Sequence, residues 1–181
     1  MTARGLILVV AALAGIGASA TAATEVVGTD GDDHLVGTSG RDLIEGGGGD
    51  DVLVGRAKGD QLNGGRGDDR LSGGPDRDTL DGEAGHDVLR GGSGPDFLAD
   101  YDGGDRLDGG PGDDRAVLGG GREGVSRLQL GAGDDEVVVQ DDGTADVIGC
   151  GPGHDIAEWV DTRDPGDRYV GCEVVREYAG V

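Results

Sequence analysis

Between Leu35 and Leu107 a large aliphatic residue returns at every ninth position: Leu35, Ile44, Leu53, Leu62, Leu71, Leu80, Leu89, Leu98 and Leu107. Two residues before each stands an aspartate, giving Asp33, Asp42, Asp51, Asp60, Asp69, Asp78, Asp87, Asp96 and Asp105. Residues 28–108 can be written without a gap as nine nonapeptides: GTDGDDHLV, GTSGRDLIE, GGGGDDVLV, GRAKGDQLN, GGRGDDRLS, GGPDRDTLD, GEAGHDVLR, GGSGPDFLA and DYDGGDRLD. Positions one to six are rich in Gly and Asp, residues that tolerate left-handed backbone angles and build tight turns. Positions seven to nine predict a strand of about three residues, with position eight facing in and its neighbours facing out, because side chains alternate along a strand. The outward residues are mostly polar, among them Arg70, Ser72, Asp81, Arg90, Arg106 and Asp108. One nonapeptide then makes half a coil and two make a rung, so successive turns fall on opposite edges. Rungs stacking about 4.8 Å apart predict an all-β solenoid of two short parallel sheets around one file of Leu and Ile.

The pattern weakens after Asp108. GGPGDDRAV, residues 109–117, keeps Asp114 but places Ala116 in the aliphatic column. Residues 118–127 show no repeat, and LGAGDDEVV, residues 130–138, restores Asp135 and Val137. Residues 118–139 therefore read as a bulged loop and one further repeat in a continuing solenoid. Residues 140–181 differ in composition, carrying Trp159, Tyr169, Tyr178 and both cysteines. They suit a cap, since a bare solenoid end presents unpaired strand edges. At the other end, residues 1–20 read as a secretory leader: Arg4 precedes an apolar run, and Ala18-Ser19-Ala20 fits a cleavage site, with a competing site after Ala23. Residues 21–27 link it to the repeats, and the mature chain is expected outside the cell with no membrane insertion.

Composition sharpens this picture. The 181 residues are 35% hydrophobic and 3% aromatic, too little for a conventional two-layer core, and 41 glycines raise the entropy cost of ordering the backbone. The formal charge of -22 opposes compaction. Stacked carboxylates about 5 Å apart repel by roughly 1 kcal/mol per pair in water and more at lower dielectric. A bound divalent cation would reverse that sign. The acidity argues against nucleic acid and anionic membranes as partners. Lys58 is the single lysine, and the arginines are scattered along the repeats without a basic patch, so local pairing with carboxylates is expected.

The pattern G-G-x-G-x-D-x-U-x, with U a large aliphatic, resembles the haemolysin-type calcium-binding repeat, the RTX nonapeptide, over about half the chain. The resemblance implies a parallel β-roll and Ca²⁺ bound between turns. It marks the sixth-position column, Asp33, Asp42, Asp51, Asp60, Asp69, Asp78, Asp87, Asp96, Asp105 and Asp114, as metal ligands. Backbone carbonyls would come from turn glycines such as Gly31, Gly46, Gly47, Gly49, Gly64, Gly65, Gly67, Gly82, Gly85 and Gly103. Residues 28–117 carry 22 acidic and 9 basic side chains, so about six calcium ions would nearly neutralise the tract, and the inter-turn gaps allow up to about eight. Mg²⁺ suits a carbonyl-rich turn less well, because it demands octahedral geometry and keeps its water.

Rival chemistries find little in the residues. No EF-hand loop is present, and His34, His86 and His154 each stand alone in the repeat grid. An enzyme is not expected, since about sixty residues lie outside leader and repeats and they contain no G-x-S-x-G or H-E-x-x-H. A structural or interaction module is the primary reading, an adhesive solenoid or an accessory to a secreted hydrolase the alternative. Any protein or glycan partner is open. Ice binding would want a regular outward column, but the seventh positions read His, Leu, Val, Gln, Arg, Thr, Val, Phe, Arg. Cys150 and Cys172, an even pair in a chain expected to be secreted, most simply form a disulfide. Toxin-like RTX proteins usually leave the cell through a dedicated exporter with an uncleaved C-terminal signal. The N-terminal leader read here departs from that pattern.

Overall fold

The computed structural model describes residues 7–10, 23–119, 124–140, 143–160 and 165–177. The expected leader lies outside the described residues except for Ile7–Val10. The strands, in chain order, are β1 (Ile7–Val10), β2 (Thr24–Val27), β3 (Asp33–Val36), β4 (Asp42–Gly48), β5 (Val52–Val54), β6 (Gln61–Arg66), β7 (Arg70–Pro75), β8 (Thr79–Ala84) and β9 (Val88–Ser93). They continue as β10 (Phe97–Asp100), β11 (Arg106–Pro111), β12 (Arg115–Leu118), β13 (Arg127–Ala132), β14 (Glu136–Gln140), β15 (Val147–Gly149), β16 (Ile156–Val160), β17 (Arg168–Val170) and β18 (Val174–Glu177).

Odd-numbered strands form one nine-stranded sheet and even-numbered strands the other, every pairing parallel. This is the expected β-roll. The position-eight aliphatics from both sheets meet in the middle, from Leu35 to Leu107 each no more than 2% exposed. Strands reach six or seven residues in β4, β6 to β9, β11 and β13, because the first turn positions also pair rung to rung, as Gly47 with Gly65 and Gly74 with Gly92. Glycine is what allows this: a Cβ on Gly65, at φ 107°, would run into the backbone carbonyl of Gly47.

Beyond Asp108 the rungs lengthen without leaving the sheets. Arg106 pairs with Arg127, Arg127 with Val147 and Val147 with Arg168, so the repeat widens and becomes illegible as a nonapeptide. The interior also changes there. Position one of the turn is glycine in the regular repeats except for Asp100, but the residues stacked above are Leu118 and Val139 on one edge and Leu130 and Cys150 on the other. All four are buried members of the hydrophobic core. The expected disulfide is present: Cys150 joins Cys172, with Cα atoms 5.1 Å apart, tying adjacent rungs near the C-terminal end. A loop of this size is worth roughly 3 kcal/mol in the chain-entropy model.

Because one file of aliphatics is the apolar core of the nonapeptide rungs, a gap in it is felt directly. Leu71→Ala should lower stability by about 2–5 kcal/mol, whereas Ser72→Ala on the outer face should stay within about 0.5 kcal/mol. Urea unfolding of the two variants beside the parent measures the difference.

Candidate metal centre

Each sixth-position aspartate ends a turn and begins a strand, and its side chain points into the roll. All ten predicted residues, Asp33 to Asp114, are buried, with at most 4% of their surface exposed. Their arrangement is a ladder. Oδ1 of each aspartate accepts the backbone N–H of the aspartate one rung below: Asp33 donates to Asp51, Asp51 to Asp69, Asp69 to Asp87 and Asp87 to Asp105, at 2.7–2.8 Å. On the other edge Asp42 donates to Asp60, Asp60 to Asp78, Asp78 to Asp96 and Asp96 to Asp114, also at 2.7–2.8 Å. The amide left over when the strand starts is thus satisfied by the carboxylate above it.

The ladders run past the nonapeptides, and beyond Asp135, legible in the further repeat, sequence reasoning missed their members. On one edge Asp114 is followed by Asp135 and Asp155, and on the other Asp105 is followed by Ser126, Asp146 and Asp167. The readable signal was an acidic residue two before an inward side chain, as in Asp146 with Ile148 and Asp155 with Ala157, but at spacings other than nine. Half-buried Asp32 and exposed Asp50 and Asp68, at position five, make a second ladder outside the first, running to the His86 amide.

The second carboxylate oxygen sets the chemistry. Oδ2 of Asp51, Asp60, Asp69, Asp78, Asp87, Asp96, Asp114, Asp135 and Asp155 is buried and has no hydrogen-bond partner. An anionic oxygen cannot be left so without cost. Asp33 and Asp42 differ, because the amide and hydroxyl of Thr29 and of Thr38 donate to their Oδ2. Beside the orphaned oxygens lies a cradle that only glycine leaves open. A Cβ on Gly46 would sit 2.5 Å from Asp51 Oδ2, and on Gly64 it would sit 2.8 Å from the Gly82 carbonyl oxygen. Cβ atoms on Gly55 and Gly91 would each meet the next rung's position-one carbonyl at 2.8 Å. Gly47, Gly49, Gly65, Gly67, Gly85 and Gly103 all hold positive φ, and the carbonyls of Gly47, Gly49, Gly67 and Gly85 face the glycine one rung on. Gly31, in the first turn, has open space beside it.

Burial raises these carboxyls. Asp51, Asp60, Asp69, Asp96 and Asp135 are pushed up to about 6, and Asp78, Asp87 and Asp114 to about 7, first by desolvation; the amide bond lowers each, and neighbouring carboxylates raise most of them further. Asp100, absent from the predicted set, is pushed up to about 9 by burial and then by Asp105 and Asp87. Carboxylate oxygens of Asp87, Asp100 and Asp105 lie within 4.8 Å of one another. The two edges differ in strain: of the four non-glycine residues at positive φ among the described residues, Arg56, Lys58 and Asp76 lie on the edge of Asp60 and Asp78, and Glu83 on the other.

An all-oxygen donor set of carboxylates and carbonyls, anionic and shielded from water, suits a hard divalent cation, and its number and flexibility suit calcium better than magnesium. Comparison with curated proteins returns no match for the chain. The family model described as RTX calcium-binding nonapeptide repeat (4 copies) matches over residues 27–62, 55–89 and 90–122, more than half of the sequence. With its aspartate ladders and glycine cradles in the turns that this repeat defines, the chain belongs to the family of RTX calcium-binding repeat proteins.

Proposed function

We propose that this is a secreted calcium-binding module, in which Ca²⁺ held between Gly/Asp turns folds and stiffens the β-roll and no catalysis is performed. The row of buried carboxylate oxygens without partners, from Asp51 to Asp114, carries this reading. A cation between rungs would meet Oδ2 and the carbonyls around position one, neutralise the ladder and leave the Oδ1 bonds in place. Asp42 would contribute less, since Thr24 and Thr38 already serve both of its oxygens, whereas Asp33 keeps its Oδ1 without a partner. Removal of the leader, residues 1–20, would deliver the module to an extracellular space where calcium is abundant, and its working range would be about 10⁻⁴ to 10⁻³ M. Residues 140–181 would close the roll's end, held by the disulfide.

Circular dichroism of the mature protein in chelator and in calcium, with a count of bound ions, tests the reading. The repeats should be largely unfolded in chelator and gain strand structure cooperatively as calcium rises. A strand spectrum unchanged by excess chelator would refute it. The pH dependence has a defined sign. In the folded, ion-free roll the Asp69 and Asp78 carboxyls titrate near 6 and 7 instead of the ordinary 3.8. The folded state therefore holds protons that the unfolded chain has released, and ion-free stability falls as pH rises from about 4 through 7. In chelator the strand signal should be larger at pH 5 than at pH 8. With calcium the order reverses, because protons compete for the ligands and the calcium midpoint moves to higher concentration below about pH 6.

The edges should fill unequally. Around Asp51 position four is Gly49 and position five is Asp50, while around Asp60 the fourth position is Lys58 at φ 76°, with Asp76 and Arg77 in the rung above. Asp51→Asn should raise the calcium midpoint of folding more than Asp60→Asn does. Equal shifts, or a larger one for Asp60→Asn, would overturn this ordering of the edges.

A further inference from the structure

Position one of the turn is where the ion cradle is open, and in nine of the ten nonapeptides it is glycine. In the ninth it is Asp100. This residue is 2% exposed and neither of its carboxylate oxygens has a hydrogen-bond partner. A Cβ on Gly82, directly below, would lie 2.5 Å from Asp87 Oδ2 and 3.0 Å from Asp100 Oδ2. At Gly64 and Gly91 the corresponding neighbour from the rung above is a backbone carbonyl. Asp100 thus offers a carboxylate ligand where other rungs offer a backbone carbonyl. Above it, in register, sits buried Leu118, which closes the site against water. The ladder is one carboxylate short there, because Ser126 Oγ, not an aspartate, takes the Asp105 amide at 3.2 Å.

We propose that Asp87, Asp100 and Asp105 form a separate three-carboxylate cation site, tighter than the carbonyl-lined gaps and first to fill, at the junction where regular rungs give way to lengthened ones. Asp100 supplies the ligand that sets it apart, and the inference rests on the calcium-binding reading above. More carboxylates in one gap raise affinity for a hard cation and favour higher charge, so calcium is the expected ligand and Tb³⁺ a suitable probe. Tyr101, adjacent in sequence and half exposed, is placed to sensitise terbium emission from this site.

The test is a Tb³⁺ titration of the mature protein, excited through tyrosine, with calcium stoichiometry from equilibrium dialysis. Emission should rise with the first equivalent and be lost in Tyr101→Phe. Asp100→Gly, which restores the common residue, and Asp100→Asn, which keeps the shape, should each shift that first midpoint about tenfold or more upward, into the range of the other gaps, while reaching the parent's circular dichroism at saturating calcium. If Asp100→Gly does not fold, Asp100→Asn decides. An unchanged midpoint in the folded variants overturns the site alone. A parent protein that binds no cation overturns this site and the calcium-binding reading together.

The outer face of the odd-numbered sheet carries a second, independent inference. In a chain of charge -22, this face presents Arg70, Arg90, Arg106, Arg127 and Arg168 against a single acid, Asp108. The absence of a basic patch in the sequence does not survive folding, since stacking gathers residues that lie rungs apart. All five are exposed, and none is in an ion pair among the described residues, whereas Arg115 and Arg176 on the other sheet pair with Glu136 and Glu158. Arg70, Arg90 and Arg106 line one shallow depression together with Val52, Val54 and Val88. We infer that this stripe docks a linear acidic polysaccharide lying along the roll axis. A single chain can follow so narrow a stripe, and its carboxylates or sulfates match the guanidinium fork. A broad anionic membrane would also bring the acidic edge of Asp32, Asp50 and Asp68 within a Debye length of about 10 Å and be repelled.

Chondroitin sulfate on a surface is the probe, with the calcium-loaded protein in solution. Binding should weaken with salt and fall at least about tenfold in the Arg70→Gln, Arg106→Gln, Arg127→Gln triple variant, but not in Arg115→Gln. Equal binding by the triple variant, or binding to anionic vesicles in place of the glycan, overturns the inference.

Discussion

The structure depends on how one carboxylate is divided. Most ladder aspartates, beginning with Asp51, give one oxygen to a backbone amide and keep the other, buried and unpaired, beside an open cradle. The first oxygen alone would not require aspartate. An asparagine carbonyl could accept the same amide, but its NH₂ would then point into a space lined by carbonyls and could only donate. In a chain already at -22, adding a buried charge per half-rung is justified physically only if the second oxygen meets a cation. Thr29 and Thr38 mark the exception, since the hydroxyl and amide there take the cation's place.

Position one tells where that logic applies. While it is glycine, the interior beside the ladder is empty of side chains and lined with oxygen. At Leu118, Val139, Leu130 and Cys150 the same location is filled by buried apolar atoms. The cross-section therefore changes from polar and ion-ready to hydrophobic within a single continuous pair of sheets. Asp100 stands at that boundary, with Gly82 below it and Leu118 above.

Where a feature depends on strict period nine, the sequence displayed it. The Leu35 to Leu107 file, the aspartate column, the two edges and the pairing of Cys150 with Cys172 all follow from spacing, residue type or cysteine count. What the sequence hid follows from insertions and from burial. Lengthened turns displaced Ser126, Asp146 and Asp167 from the nonapeptide grid, although the ladder tolerates such changes because it joins strand starts and not turn lengths. Asp100 was legible as a departure from glycine, yet only its burial distinguishes it from a surface acid. The arginine stripe was hidden for a different reason, since residues about two nonapeptides apart become neighbours only once the rungs stack.

The two ways of holding rungs together make the same demand on the surroundings. An ion between carboxylates survives only where free calcium approaches its dissociation constant, which the cytosol does not provide for a site of extracellular affinity. A disulfide persists only where thiols are not kept reduced. The disulfide lies in the apolar-filled part of the roll and the orphaned carboxylate oxygens are concentrated in the glycine-lined part, so neither staple substitutes for the other. A chelating compartment would loosen one portion and a reducing compartment the other. An oxidising, calcium-rich space satisfies both, an argument for an extracellular site that owes nothing to the apolar run at the start of the chain.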